Sequence, residues 1–378
     1  MILNLILILI SCLIIWRASD GFEVASEYIG RNLTDGVRGA TINAIGSSMP
    51  ELFTTAWFLF VLHNRDGFAG GIGTTAGSAI FNGMIIPAVV ILAVIGYGLA
   101  KNVNVSRKVI LRDGLSLIAA EIVLIFLIKG TELDWWHGLV LMITYGVYVA
   151  IMLFTMSGSS GDDDDDDDDD EDDDDEEDDG EKSFLTSLLT LDLEPIFIKN
   201  EINNGNAWAL LITSMFIIGG SCALLVHACE GLAIGAGIAT YFVAVILASA
   251  ATSVPDTILS YRDAMAGEYD DAVANALGSN IFDVCFALGF PLFVYTIAYG
   301  PITMSPETVE NITELRVILL ISTIVAFLIY IIGDGMGKIK AFLLLAIYVA
   351  FTVFVASKAY GAEWAIEFGE YMRSFVAP

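Results

Sequence analysis

Long runs of apolar residues, separated by short polar segments, dominate the sequence. A helix needs about 20 mostly apolar residues to cross the hydrocarbon core of a bilayer, so each run of that length is a candidate membrane span. The ten candidates are 2–28, 38–62, 70–98, 108–128, 137–156, 207–229, 233–260, 270–298, 315–333 and 340–358. The pattern therefore predicts an all-α polytopic membrane protein with ten transmembrane helices, five on each side of a polar segment.

The composition agrees with this class. Of the 378 residues, 56% are hydrophobic and only 17% are charged, whereas a soluble domain has about 25% charged residues. This argues against a soluble enzyme. The net charge is negative and no basic patch is interleaved with aromatic residues, which argues against nucleic acid as a partner. The lipid bilayer is the expected environment, and the sequence predicts neither a cofactor nor an obligatory protein partner.

An uninterrupted run of acidic residues, Asp162–Asp179, accounts for most of the net charge of −29. Like charges in such a run repel one another and cannot bury apolar surface, so we predict a largely disordered loop. Two roles remain open for it: a solubilising spacer, or a weak collector of Ca²⁺. The stretch that follows, 184–198, has a mildly amphipathic pattern and is predicted to lie as an interfacial helix.

The positions of lysine and arginine indicate the orientation, because acidic residues contribute little to the positive-inside bias. With the N-terminus outside, 12 of the 17 basic residues face the cytoplasm and 5 face out. We therefore predict both termini outside and the acidic loop in the cytoplasm, in a protein of the cell (plasma) membrane.

Two short motifs occur in the same order in both halves. The first is Gly46–Glu51 (GSSMPE) in the second span and Ala251–Asp256 (ATSVPD) in the seventh. The second is Gly77–Asn82 (GSAIFN) in the third span and Gly278–Asp283 (GSNIFD) in the eighth. Because each half has an odd number of helices, the halves enter the membrane in opposite directions, as inverted repeats. The predicted domains are a first repeat at 1–156, an acidic loop at 157–206 and a second repeat at 207–378.

Three acids of these motifs, Glu51, Asp256 and Asp283, lie within apolar segments. A charge at the bilayer centre costs at least about 2.5 kcal/mol, so such residues are functional candidates by default. Residues three or four apart share a helix face, which places oxygen-bearing side chains beside the acids. The expected sets are Ser47 and Ser48 with Glu51, Thr252 and Ser253 with Asp256, Ser78 with Asn82, and Ser279 with Asp283.

Two prolines add backbone oxygens to these sets. Pro50 and Pro255 lack an N–H group and clash with the carbonyl one turn back, which opens the helix and frees carbonyl groups. Donor sets made only of oxygen suit Ca²⁺ and Na⁺, and disfavour zinc or copper. In the alternative interpretation, proline and small residues only kink and pack the helices. Four motifs in register, without Lys or Arg inside them, favour an ion site, whereas the isolated Glu121 fits a structural or an ionic role equally well.

The four motifs resemble the two alpha repeats of the cation/Ca²⁺ exchanger superfamily, whose members include sodium/calcium exchangers. The resemblance extends over the ten-helix plan and the central loop, hence nearly the whole chain. It implies that Glu51 and Asp256 are the central Ca²⁺-binding carboxylates, and that Asn82 and Asp283 flank them. It also implies that hydroxyl or backbone oxygens of six further residues complete the Na⁺ and Ca²⁺ positions: Ser47, Ser48, Ser78, Thr252, Ser253 and Ser279.

The first repeat departs further from the superfamily pattern than the second. Ala79 and Thr74 stand where this superfamily often has Asn. Asp283 resembles the potassium-dependent animal branch, although prokaryotic members that do not need K⁺ also have Asp there. Asp256 favours sodium, because proton-coupled members usually have Glu in both central positions.

The sequence thus predicts a transporter and not an enzyme. The predicted function is secondary active antiport, in which Na⁺ is exchanged for Ca²⁺ by alternating access at a midplane carboxylate site. Ca²⁺/H⁺ exchange, K⁺-dependent Na⁺/Ca²⁺ exchange and a cation channel remain as alternatives. By the resemblance, the first and sixth helices move against the other eight.

Overall fold

The computed structural model describes residues 1–31, 44–62, 67–157, 186–187, 190–199, 201–333 and 335–376, most of them helical. The helices are α1 (Ile2–Ile29), α2 (Ala44–Ser47), α3 (Met49–Leu62), α4 (Gly67–Tyr97), α5 (Arg107–Leu127), α6 (Trp135–Ser157), α7 (Glu194–Phe197), α8 (Asn204–Ala236), α9 (Thr240–Val243), α10 (Ser249–Thr252), α11 (Val254–Ala266), α12 (Tyr269–Phe282), α13 (Leu288–Tyr299), α14 (Pro306–Ile331), α15 (Lys338–Ala359) and α16 (Glu363–Ser374). Two π-helical segments, πA (Ala244–Ala248) and πB (Asp283–Ala287), and two antiparallel strands, β1 (Glu132–Leu133) and β2 (Ile302–Thr303), complete the described elements. The acidic run Asp162–Asp179 lies outside the described residues.

Within the described residues, eight helical stretches are long and apolar enough to cross a membrane. They are Ile2–Ile29, Gly67–Tyr97, Trp135–Phe154, Asn204–Ala236, Thr240–Ala266, Tyr269–Tyr299, Pro306–Ile331 and Lys338–Ala359. These stretches match eight of the ten predicted spans. In the predicted span 38–62, the described part is divided into the short helices α2 and α3. The span predicted at 108–128 is helix α5, which carries Arg112, Asp113 and Glu121 in its interior.

Helix α4 lies in the larger hydrophobic core and is buried along most of its length. Small residues let neighbouring helices approach it closely, as is typical of packing inside membranes. At Gly77, an added Cβ would overlap the Val245 carbonyl oxygen of πA and lie 2.8 Å from Ser249 Cβ. Helix α4 also contacts α3, α11, α12, α14 and α15. This central position holds the polar side chains of α4 inside the protein.

Helices α1 and α8 pack against each other and belong to a second apolar cluster. Ile15 and Phe22 of α1 and Cys222 and Leu225 of α8 are buried there. The cluster continues onto α3 and πA through apolar side chains such as Phe58. The α1–α8 pair therefore meets α3 and πA through an apolar cluster, whereas Arg262 of α11 pairs with Asp20 and Glu23 towards the end of α1.

The interfacial helix predicted over 184–198 is wrong as a continuous helix. In the described part of this stretch, Leu191 has φ of 53°, a left-handed conformation that interrupts a helix. Pro195 then lies in the first turn of the four-residue helix α7, a position where its missing N–H is tolerated. Leu193 is buried in a small cluster with residues of α1 and α8, so this segment packs on the protein.

Arg316 of α14 is buried, with 1% of its surface exposed, and caps the end of α5. Its guanidinium donates to the carbonyls of Leu124 and Ile125 at 3.1 and 3.3 Å. It also donates to the Ile312 carbonyl and to the Thr313 hydroxyl on its own helix. The last carbonyls of a helix lack partners and carry partial negative charge. Arg316 therefore joins α14 to α5 through backbone oxygens.

A buried carboxylate, Glu314 of α14, fastens α16 and α15 to the core. Its side chain is 4% exposed and forms ion pairs with Arg373, whose Nε lies 3.1 Å from Glu314 Oε1, and with Lys358. Arg373 also pairs with Glu310, whose side chain is 55% exposed. The two glutamates lie one helical turn apart and share a partner, but differ in burial.

We expect Glu314→Gln to lower the free energy of unfolding by about 3 kcal/mol, because removing one partner of a buried pair leaves the other charge uncompensated. Glu310→Gln is the matched control and should cost less than about 1 kcal/mol, since exposed ion pairs contribute little. Thermal unfolding of both purified variants in one detergent gives the comparison. Equal melting temperatures for the two variants would contradict the assigned role of Glu314.

Candidate cation site

The two proline motifs interrupt their helices at matching places. Helix α2 ends at Ser47 and α3 begins at Met49, just before Pro50. Helix α10 ends at Thr252 and α11 begins at Val254, just before Pro255. Proline disfavours helical conformation in the residue before it and cannot donate to the carbonyl four residues back. The predicted opening of both helices is confirmed, and it places Glu51 and Asp256 in the first turns of α3 and α11.

The second pair of motifs brings further polar side chains to the same region. Ser78 Oγ of α4 lies 3.1 Å from Glu51 Oε1, 3.0 Å from Asp283 Oδ2 and 2.8 Å from Ser253 Oγ. Asn82 Nδ2, one turn further along α4, donates to Asp256 Oδ2 at 3.1 Å and to Ser279 Oγ at 3.4 Å. Helix α4 thus links the three carboxylates.

The remaining hydroxyls meet the acids across the two halves of the chain. Thr252, from the second half, lies against Glu51 of the first half. Ser47, from the first half, lies against Asp256 of the second half. The sequence predicts Thr252 beside Asp256 and Ser47 beside Glu51, whereas in the structure each of these two hydroxyls lies near the acid of the other half.

All ten residues predicted from the sequence are buried and adjoin one another. Their exposed fractions run from 0 to 6%. The ten are Glu51, Asp256, Asp283, Asn82, Ser47, Ser48, Ser78, Thr252, Ser253 and Ser279. Within the described part of the chain, no lysine or arginine forms an ion pair with any of the three acids.

Among the described residues, several oxygens of this cluster have no hydrogen-bond partner. They are Glu51 Oε2, Asp256 Oδ1, Asp283 Oδ1, Asn82 Oδ1 and Ser48 Oγ. A buried acceptor without a partner costs about 1 to 3 kcal/mol, and more when it is charged. A bound cation removes this cost, because carboxylate, amide and hydroxyl oxygens are the ligands of Ca²⁺ and Na⁺.

The hydroxyl of Ser78 illustrates that the cluster has too few hydrogen-bond donors for its carboxylate oxygens. A serine carries one O–H hydrogen, so Ser78 satisfies either Glu51 or Asp283 at one time, and not both. Ser253 contributes one more hydrogen beside it. The described residues contain no group of three His, Cys, Asp or Glu side chains that could hold a metal by themselves. A cation here would therefore need the neutral oxygens of Asn82 and the hydroxyls as well as the acids.

Some residues that shape the cluster were not found by sequence reasoning. Asn275 Nδ2 donates to Ser260 Oγ at 3.0 Å and contacts the Asp256 carbonyl at 3.4 Å. Asn280 Nδ2 donates to the Ala79 carbonyl at 3.0 Å and so ties α12 to α4. Polar residues at helical spacing before Asp283 were the available signal for both.

Glu121 lies apart from this cluster. It is 1% exposed and accepts a hydrogen bond from Thr323 of α14 at 2.6 Å. Among the described residues its hydrogen-bond partner is Thr323 and not a residue of the cluster, so it provides a buried carboxyl of α5 for comparison.

Known proteins are similar in sequence to about a third of this chain. Sodium/potassium/calcium exchanger 4 of Mus musculus is 38% identical over 125 residues, which are 33% of this chain and 19% of that protein. Sodium/potassium/calcium exchanger 2 of Rattus norvegicus is 35% identical over 136 residues, which are 35% of this chain and 18% of that protein. The chain thus aligns with about a fifth of the length of these curated relatives.

Solved structures are similar over nearly the whole chain. The crystal structure of the H⁺/Ca²⁺ exchanger CAX has a TM-score of 0.62 at 12% identity and covers 98% of this chain and 92% of that one. The sodium-calcium exchanger NCX_Mj, soaked with 2.5 mM Na⁺ and 0.1 mM Ca²⁺, has a TM-score of 0.56 at 20% identity and covers 93% of this chain and 97% of that one. At these identities the likeness concerns the fold alone.

A family model described as "Sodium/calcium exchanger protein" matches residues 3–154 and 206–357. The two matched segments lie on either side of the acidic run and together make up most of the chain. The chain therefore belongs to the sodium/calcium exchanger protein family, whose members are transporters and not enzymes.

Proposed function

We propose that this protein is a secondary active antiporter that exchanges Na⁺ for Ca²⁺ by alternating access at the cluster around Glu51, Asp256 and Asp283. The observation that carries the proposal is the set of buried carboxylate oxygens without hydrogen-bond donors. Asn82 and the six hydroxyl residues supply neutral oxygens to the same ions. In this proposal Ca²⁺ and Na⁺ are transported substrates, and the exchange needs no cofactor.

Charge explains the coupling between the ions. Three carboxylates in a medium of low dielectric constant repel one another strongly when nothing neutralises them. One Ca²⁺ or several Na⁺ relieve this repulsion, so the two ions compete for the same oxygens. Only a site whose negative charge is largely neutralised by bound ions can move past a hydrophobic barrier at a low cost in free energy. Exchange without net leakage follows from that requirement.

The proposed architecture has ten spans in two inverted five-helix repeats, with the site near the bilayer midplane. Eight apolar helices, the matching breaks before Pro50 and Pro255, and the exchange of hydroxyl partners between the halves support it. The apolar cluster between the α1–α8 pair and α3 and πA fits a pair of helices that slides over the rest. In our orientation both termini are outside, and the acidic loop is in the cytoplasm.

Two other coupling ions have specific support. K⁺ dependence is favoured by Asp283 and by the names of the curated relatives, which are sodium/potassium/calcium exchangers. Proton coupling is favoured by the fold likeness to an H⁺/Ca²⁺ exchanger. A cation channel could use the same acids, but it would need no exchanging ion.

The test is uptake of ⁴⁵Ca²⁺ into Na⁺-loaded proteoliposomes of the purified protein, with and without K⁺. A parallel set replaces the Na⁺ gradient with a pH gradient. We expect uptake that requires the outward Na⁺ gradient. Uptake driven only by the pH gradient would replace Na⁺ with H⁺, and uptake that needs no opposing ion would establish a channel.

We expect Ser78→Ala to raise the Ca²⁺ concentration for half-maximal uptake by about tenfold, since hydrogen bonds to charged groups contribute about 1.5 to 3 kcal/mol. The hydroxyl of Ser78 reaches two of the three acids, so its loss weakens the oriented donor set. Thr75→Val is the matched control on the same helix, because the Thr75 hydroxyl donates to the Ile72 carbonyl and, among the described residues, bonds none of the three acids. Equal Ca²⁺ dependence of the two variants would exclude Ser78 from the site.

A further inference from the structure

The terminal helix α16 has three distinct faces along its length. One face holds Ala365, Gly369 and Met372, which are buried against the protein. Gly369 lies against the Glu314 carboxylate of α14, where any Cβ would overlap it. With Arg373 bonded to the same carboxylate, this face is fixed to the core.

A second face is aromatic and exposed. It consists of Trp364, Phe368, Tyr371 and Phe375, whose exposed fractions are 50, 42, 60 and 61%. Their spacings of four, three and four residues place them in one row along the helix. We call this row the aromatic face. Towards its N-terminal end the aromatic face continues onto α15, where Phe354 packs edge-on against Phe368 with ring centroids 5.3 Å apart.

The third face is acidic. Glu363, Glu367 and Glu370 are all exposed and recur at helical spacing, with Ser374 one turn further on. At about 100° per residue, this face points away from the protein, and the aromatic face lies between the acidic and the buried directions. Such a helix suits a position in which one face contacts the protein, the second contacts an apolar medium and the third contacts water.

The end of the protein at which α16 lies is marked by other exposed aromatic residues. Trp135 and Trp136 begin α6, Tyr299 ends α13 and Tyr360 follows α15. The pairing of β1 with β2 joins the segments next to α6 and α13, and α14 begins just after β2, so these residues share one end. Exposed Trp and Tyr at helix ends are typical of the level where a membrane meets water.

We propose that α16 is an interfacial helix, whose aromatic face is seated in the headgroup region of the bilayer and whose acidic face is in water. Three glutamates and one arginine give the helix a negative charge, so the fitting partner is a zwitterionic lipid surface and not an anionic one. The membrane and Glu314 then hold α16 from two sides.

The experiment uses tryptophans placed one residue apart in the full chain. In a Trp364→Phe parent, Phe368→Trp places the probe on the aromatic face and Glu367→Trp places it on the acidic face. A second pair, Tyr371→Trp and Glu370→Trp, repeats the comparison if a member of the first pair fails to fold. Each protein is reconstituted in phosphatidylcholine, either unlabelled or brominated in the upper acyl chain.

We expect brominated lipid to reduce the fluorescence of the tryptophan introduced at position 368 by at least about twofold. The fluorescence of the tryptophan introduced at position 367 should remain unchanged. Aqueous iodide should quench the tryptophan at 367 and spare that at 368. Quenching of both by iodide and of neither by lipid would overturn the proposal. Protection of 368 from both quenchers would also overturn it, because a protein surface would then cover the aromatic face.

Discussion

Replacement of Glu51 by Gln should abolish Na⁺-driven ⁴⁵Ca²⁺ uptake, a loss of at least about a hundredfold. Changing a residue that only supports the ligands of a metal site already lowers affinity or activity by about 10- to 100-fold. Gln keeps the shape of the side chain and its reach to Ser78, so the substitution mainly removes a negative charge. The remaining acids can no longer balance Ca²⁺ as before. Uptake into Na⁺-loaded proteoliposomes at matched protein density measures the effect.

Asp256→Asn should give a loss of the same size, because Asp256 also has an oxygen without a donor. The matched control is Glu121→Gln. It removes an equally buried carboxyl from α5, where Thr323 is the hydrogen-bond partner. Transport should survive this change. If Glu51→Gln transports like Glu121→Gln, the cluster is not the ion site.

Replacement of Gly77 by Ala is expected to be nearly as damaging, by a steric route. The new methyl group would overlap the Val245 carbonyl oxygen, and a backbone atom of πA cannot move aside as a side-chain end can. We expect a loss of about 3 kcal/mol of stability from overpacking. Because Ser78 follows directly in α4, the displacement should also lower transport strongly. Thermal unfolding and uptake of the purified variant measure the two effects.

Gly83→Ala provides the same substitution on the same helix. Its Cβ would meet Asn280 Nδ2 at 3.8 Å, which is an ordinary contact. This variant should melt near the wild-type temperature and should transport. A Gly77→Ala protein as stable as Gly83→Ala would contradict the close packing of α4 on πA.

The positions of the acids were predictable because burying a carboxylate in an apolar span is expensive and therefore informative. The helix breaks before Pro50 and Pro255 follow from the covalent structure of proline, which acts on its own neighbours whatever the fold. Both features depend on local sequence. The ten residues that they indicated lie buried together in the structure.

Which hydroxyl lies beside which acid depends on how the helices pack, and this could not be predicted from the sequence. Nothing in the local pattern indicates that Thr252 faces Glu51 or that Ser47 faces Asp256. The π-helical turn that begins at Asp283 was also missed, since one additional residue in a turn leaves the apolar pattern almost unchanged. The interruption at Leu191 depends on contacts of the segment with α1 and α8, which an amphipathic pattern does not reveal.

Arg316 has a consequence for the way the two halves are held together during transport. Its positive charge is held by the dipoles of the Leu124 and Ile125 carbonyls, and these groups do not gain protons as a carboxylate would. The joint between α5 and α14 should therefore keep its strength in acid, and whichever ion is bound. In the proposed exchange cycle the charge bound at the cluster changes, whereas the carbonyl partners of Arg316 do not respond to that change.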